Sequence, residues 1–226
     1  MLPPSIERAV PAKRRRTAPS GVQIGEASAR GMILRAAAAV FGEHGIRAAS
    51  VGHILAAAGV SRRTFYRLYQ SKEDVMDALY RLGTDGLLDA CRAAVRDEPD
   101  PLRRVARCID VHLRNARDLG HLIWLLGGEA QHHESSLHAR RLEVHEAIAS
   151  LMASTPSTLA DARVDPLLYR GLVLALDGVT RLMLEQGDEG RHVTTASIAR
   201  TRRVMLRIAT ATLAGGGPGV APVPMR

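Results

Sequence analysis

With 226 residues, a formal net charge of +8 and a pI near 10.4, the chain is long enough to bury a core and suits a polyanionic partner. Cys91 and Cys108 are too few for a disulfide framework, and no apolar run reaches the length of a membrane span, so the expectation is a cytoplasmic protein with no membrane partner. A glycine-rich phosphate loop, a GxSxG elbow, an HExxH pair and a dinucleotide fingerprint are all missing, which argues against an enzyme and against a cofactor.

Residues 1–27 hold Pro3, Pro4, Pro11 and Pro19 around the run Lys13 to Arg16, with no apolar periodicity. They predict a disordered basic arm, and two readings stand: an arm that follows DNA into the minor groove, or a solvated tail. Residues 28–79 are different. Ile33, Ala37, Val40 and Phe41 form the inner stripe of a first helix over Ser28 to His44. Val51, Ile54 and Leu55 recur at helical spacing behind Ser50, a candidate N-cap, and Gly59 stops this second helix. Ser61 caps a third helix beginning at Arg62, on which Phe65 and Tyr69 share one face while Arg62, Arg63 and Tyr66 point elsewhere. Two short helices across a glycine turn, the second with a basic start, make a helix-turn-helix that fits the major groove of double-stranded DNA. Ser71 caps a fourth helix with Glu73 and Asp74 in its first turn, where Lys72 is placed to reach a phosphate. The expected DNA-contacting set is Arg47, Ser50, Arg62, Arg63, Thr64, Tyr66 and Lys72.

Three blocks in this region resemble the DNA-binding domain of the TetR/AcrR family of bacterial transcription regulators. The first is Ile33 to Ala37 with Val40, Phe41, Glu43 and Gly45; the second is Ala49-Ser50-Val51, Ile54 and Ala58 to Ser61. The third is Thr64-Phe65-Tyr66 followed by Ser71-Lys72-Glu73. The resemblance implies a homodimer that binds a palindromic operator, acts as a repressor and is released by a small-molecule effector. Two positions depart from the family pattern. Arg63 stands where the family often has Gly, and Leu68 stands where it commonly has a phosphate-binding His, so operator preference does not carry over.

Residues 80–214 predict a helical ligand-binding and dimerisation domain, which makes the whole fold all-α. Helix 4 continues past Leu79 towards Val95 with Gly83 and Gly86 inside it, each costing about 1 kcal/mol of helix propensity. Close packing or a compliant connection would each account for them. Asp97 to Pro101 predicts a loop and a new helix start. Helix 5 carries Leu102, Val105, Ile109, His112, Leu113 and Ala116, and Leu119 to Ala130 predicts a separate short helix broken at Gly127-Gly128. Ser135 to Met152 is amphipathic, Pro156 to Val164 a loop, and Pro166–Gln186 and Thr194–Ala214 are the last helices. The first of that pair is apolar over more than one stripe. The resemblance implies that the two form a four-helix bundle with a twin, with Leu172, Leu176, Val179, Met183, Met205 and Ile208 as the expected interface. Residues 215–226 predict a disordered Gly/Pro-rich tail.

The candidate effector pocket is His121, Trp124, Glu129 and Arg141. Phe and Trp together number three, so the wall must be mainly aliphatic and suits a hydrophobic effector. Cys108 and His112, like Glu129 and His133, stand four apart on a helix, with His132, His138 and His145 nearby. No single helix converges four such ligands, so no metal site is expected. A metal-responsive regulator and an architectural DNA-binding protein without effector are the alternatives. Against the second, residues 80–214 are more chain than dimerisation alone requires.

Overall fold

In the computed structural model, which describes residues 25–154 and 165–214, those residues form eight helices and no strand. They are α1 (Glu26–Ala48), α2 (Val51–Ala58), α3 (Arg62–Leu68), α4 (Lys72–Val95), α5 (Pro101–Glu129), α6 (Leu137–Ala153), α7 (Pro166–Gln186) and α8 (Thr195–Ala214). The expected arm, the 156–164 loop and the C-terminal tail lie outside the described residues, apart from Gly25 to Ala27.

The helix ends follow from local chemistry. Ser50, Ser61 and Ser71 each accept a hydrogen bond from the backbone N–H three residues on, supplying a partner that the helix itself cannot. Gly59 closes α2 at φ 63°, and Gly45 leaves the helical region at φ 73° so that α1 can turn towards α2. Asp100 caps α5, with Pro101 in its first turn.

Two hydrophobic cores result. One joins Ile33, Phe41, Ile54, Phe65 and Val75 of α1–α4, and it also takes in Leu126, Ala130 and Leu137 from the α5–α6 corner. The other joins Cys91, Val105, Ile109, Leu172, Leu184 and Met205 of α4–α8. Arg104 ties the second core together at one end. Its buried guanidinium donates to the carbonyls of Val95, Glu98 and Leu151, collecting loose ends of α4 and α6.

Two expectations change here. The separate helix at Leu119 is the continuation of α5 past a non-helical Leu119 (φ −129°, ψ 21°), and it runs through Gly127 and Gly128 to Glu129. The bend exists because Gly120 meets Gly190 of the α7–α8 turn backbone to backbone. A Cβ on Gly120 would stand 2.7 Å from the Gly190 oxygen. Gly83 and Gly86 are not close-packed either, since a Cβ at either position would have no atom within 4 Å.

Candidate DNA-facing surface and internal cavity

Phe65 and Tyr69 anchor α3 from beneath, with ring centroids 6.1 Å apart, and this turns the other side of the helix outward. That outer side carries Arg62, Arg63, Tyr66 and Arg67, all exposed. None of the three arginines makes an ion pair among the described residues. Arg67 is absent from the set expected from the sequence. Its signal was present, because it follows Arg63 by four residues and so lies above it on the same face. Arg47 and Ser50 are exposed beside this surface, although the Ser50 hydroxyl is committed to His53 N at 3.2 Å. Thr64 is half-buried and its hydroxyl lies 2.9 Å from that of Ser61, so it helps to hold the start of α3.

Lys72 has a different place from the one expected. Its Nζ donates to the carbonyls of Ile46 and Ala49 at 2.9 and 3.0 Å, and its side chain is only 18% exposed. The ammonium satisfies the end of α1 across the turn into α2. It is a fastening between α1 and α4 before it is a phosphate ligand.

The second feature is a half-open cavity of about 770 Å³ lined by α1, α4, α5, α6 and α7, with Met205 of α8. Its wall is mostly aliphatic, with Leu87, Ile109, Ile123, Val144, Ile148 and Met152 among the lining residues, and Gly83 and Gly86 border it. Polar groups gather at one part of the wall: Tyr80, His112, His145 and Asp177. Arg141 donates to Asp177 at 2.9 Å. Burial pushes both imidazoles below the ordinary histidine value of 6.5, against the opposing pull of Asp177. Burial likewise raises the Tyr80 hydroxyl, so it stays protonated.

None of the four expected pocket residues lines this space, though Arg141 touches it through Asp177. His121 instead bridges two parts of the fold, with Nδ1 2.8 Å from the Glu189 carbonyl and Nε2 3.2 Å from that of Gly42. Trp124 lies under the Arg181 guanidinium, 4.2 Å from its ring centroid. Glu129 ends α5, away from the cavity. The Cys108–His112 pair does not converge either. Cys108 meets the Cys91 thiol, whereas His112 meets Thr180. Among the described residues no group of three His, Cys, Asp or Glu side chains could hold a metal ion.

The expected interface also divides. Leu172, Leu176, Met183 and Met205 are buried in the protomer's own core, and Val179 and Ile208 pack against it. These residues face inward because α7 must cover α5 and α8. The outward stripe of α7 is Leu167, Gly171, Leu174, Gly178 and Leu182, with Leu174 and Leu182 53% and 58% exposed.

Residues 33–79 match the family model described as bacterial regulatory proteins, tetR family. Over that segment the chain is similar to the N-terminal domain of the tetR family. Over 78 residues it is 38% identical to the HTH-type transcriptional repressor KstR2 of Mycobacterium tuberculosis. That match covers 34% of this chain and 39% of KstR2, so the chain spans about two fifths of its curated relative. The fatty acid degradation regulator FadR from Bacillus halodurans has the same fold, with a TM-score of 0.63 and 21% identity over 79% of this chain and 94% of its own. A TetR-like transcriptional regulator from Rhodococcus sp. RHA1 also scores 0.63 at 21% identity, over 85% of this chain and 100% of its own. At such identities the likeness speaks for the fold alone.

Two outcomes follow from this geometry. Replacing Lys72 with Met strands two carbonyls at the end of α1, and should lower unfolding stability in denaturant titrations by about 2 kcal/mol. A lysine that served only a phosphate would leave the midpoint unmoved. Acid should act through the histidines. Unfolded imidazoles protonate near 6.5, whereas His112 and His145 do so only at lower pH in the fold. Their contribution to stability is therefore complete above the unfolded value and is lost as pH falls through the folded one. Melting temperature should drop on acidification below about pH 6.5, and drop less in the His112→Gln/His145→Gln double variant.

Proposed function

We propose that the chain is a transcriptional repressor that binds a palindromic operator as a homodimer and leaves it when a small apolar effector fills the cavity. The observation that carries this reading is a pairing within one chain. A helix-turn-helix presents three arginines on α3 with no ion pair among the described residues, and a half-open, mostly aliphatic cavity lies along α4 in the same chain. The arginines suit guanine edges and phosphates. KstR2, matched across the DNA-facing domain, is named a repressor, which supports the sign of regulation. The aliphatic wall of the cavity supports an apolar effector. A cavity of this size favours a sensor over a purely architectural protein, which would have no use for the void.

The second copy is assigned to the outer stripe of α7. A row of leucines interrupted by Gly171 and Gly178, with open space where their Cβ atoms would stand, admits a neighbouring helix closely. One recognition helix carries little sequence information, and two linked copies multiply affinity through effective concentration.

Selection of bound fragments from a random DNA pool tests the central statement, and should return an inverted repeat. Against that repeat, Arg63→Ala and Arg67→Ala should each cost roughly 1–3 kcal/mol, and the variant that loses a guanine contact should relax preference at one position. Unchanged affinity in both would show that α3 does not face the bases. For the dimer, Leu174→Arg with Leu182→Arg should give a folded monomer by light scattering and circular dichroism. A dimer that survives both substitutions places the interface elsewhere.

A further inference from the structure

The polar part of the cavity wall specifies more than an apolar occupant, because its neighbours fix which atoms it offers. Thr180 has a single hydroxyl hydrogen and donates it to the Leu176 carbonyl at 3.0 Å. With its hydrogen so assigned, the same oxygen accepts in its 2.8 Å contact with His112 Nε2. That assignment puts the hydrogen of His112 on Nε2, and in the neutral ring Nδ1 then keeps a bare lone pair. Burial keeps that ring neutral. Nδ1 has no partner among the described residues and, unlike Nδ1 of His145, is not sealed from a water-sized visitor; the ring itself lines the cavity.

The charges around it cancel. Asp177 is held by Arg141 at 2.9 Å, and His145 Nε2 stands 3.9 Å from the same carboxylate oxygen. One guanidinium, one carboxylate and two neutral imidazoles leave no unpaired cation at this place. A buried anion would lose its hydration there without gaining a counter-charge. Arg35 and Arg114 also border the cavity, but both are exposed, so an anionic group would seek the outer side.

We infer that the ligand of this cavity is an uncharged, mostly apolar molecule bearing a hydroxyl group, an alcohol or a phenol, whose O–H donates to Nδ1 of His112. The inference rests on the reading of the cavity as an effector site and adds the chemical class of the effector. The aliphatic wall takes the body of the molecule, and Nδ1 takes the one donor. Thr180 acts as a positioning residue, because it holds the tautomer that leaves the acceptor free.

Calorimetric titration of the full-length protein at neutral pH with para-hexylphenol, para-hexylanisole and para-hexylbenzoate tests it. The three share a body and differ in offering a donor, an acceptor only, or a charge. The phenol should bind about three- to tenfold more tightly than the anisole, the worth of one net hydrogen bond, and the benzoate should bind most weakly. In His112→Leu the phenol should fall to the level of the anisole while anisole binding persists, which shows that the cavity is intact. Should that variant fail to fold, Thr180→Val serves instead: it keeps the shape, releases the tautomer and should narrow the phenol–anisole gap. Equal binding of phenol and anisole to the unmutated protein, or tightest binding of the benzoate, overturns the hydroxyl assignment and leaves the effector site standing. No binding of any of the three overturns both.

Discussion

Everything in this fold depends on α4 belonging to two cores at once. Its first turns bury Val75, Met76 and Leu79 against α1–α3, and its last turns bury Cys91 and Val95 against α5 and its neighbours. Neither core can repack around α4 without a response from the other, because a helix with continuous backbone hydrogen bonds passes displacement along its axis. Between the two anchored ends lies the stretch Tyr80 to Leu87, the part that borders the cavity. There α4 is held from one side. Arg140 of α6 donates to Thr84 and pairs with Asp85, between the two glycines.

The caps and the apolar periodicity of α1–α4 were legible in the sequence because they are local. A serine three residues before an N–H, or a glycine at a left-handed turn, needs no knowledge of the rest of the chain. α7 was legible for a similar reason, with Asp165 and Pro166 marking its start. The glycines of α5 were not. Gly120, next to the non-helical Leu119, meets Gly190 from 70 residues away, whereas Gly128 stays helical beside the Arg181 side chain. Nothing local distinguishes the two.

The candidate site residues divide along the same line. Arg62, Arg63 and Tyr66 announce an exposed face because Phe65 and Tyr69 announce a buried one. Lys72 looked free because the carbonyls it serves belong to residues 23 and 26 positions earlier. On α7 the difficulty was the lack of polar contrast. Leu174 and Leu176 are two residues apart and equally apolar, yet one is open and the other is in the core. Pattern alone assigns such a helix two apolar sides without saying which side meets its own chain. The cavity is harder still, since an apolar residue facing a void and one facing a neighbour have the same sequence signal.

A cavity beside a helix anchored at both ends has a physical consequence for regulation. An occupant can alter DNA affinity only if it favours one arrangement of the recognition helices over another. Gly83 and Gly86 present backbone rather than side chain to the void, so an occupant on that side would press on α4 itself. Its displacement would reach Val75 and Met76, and through them the core that seats Phe65 under α3. His121 opposes such movement, because its ring spans the Gly42 and Glu189 carbonyls and ties α1 to the turn before α8. So does the α5–α6 corner, where Leu126 and Leu137 sit inside the core of α1–α4. On the proposed reading, regulation is a contest between one compliant connection and two stiff ones. The ligand's leverage is then set by how far α4 can move before these contacts give way.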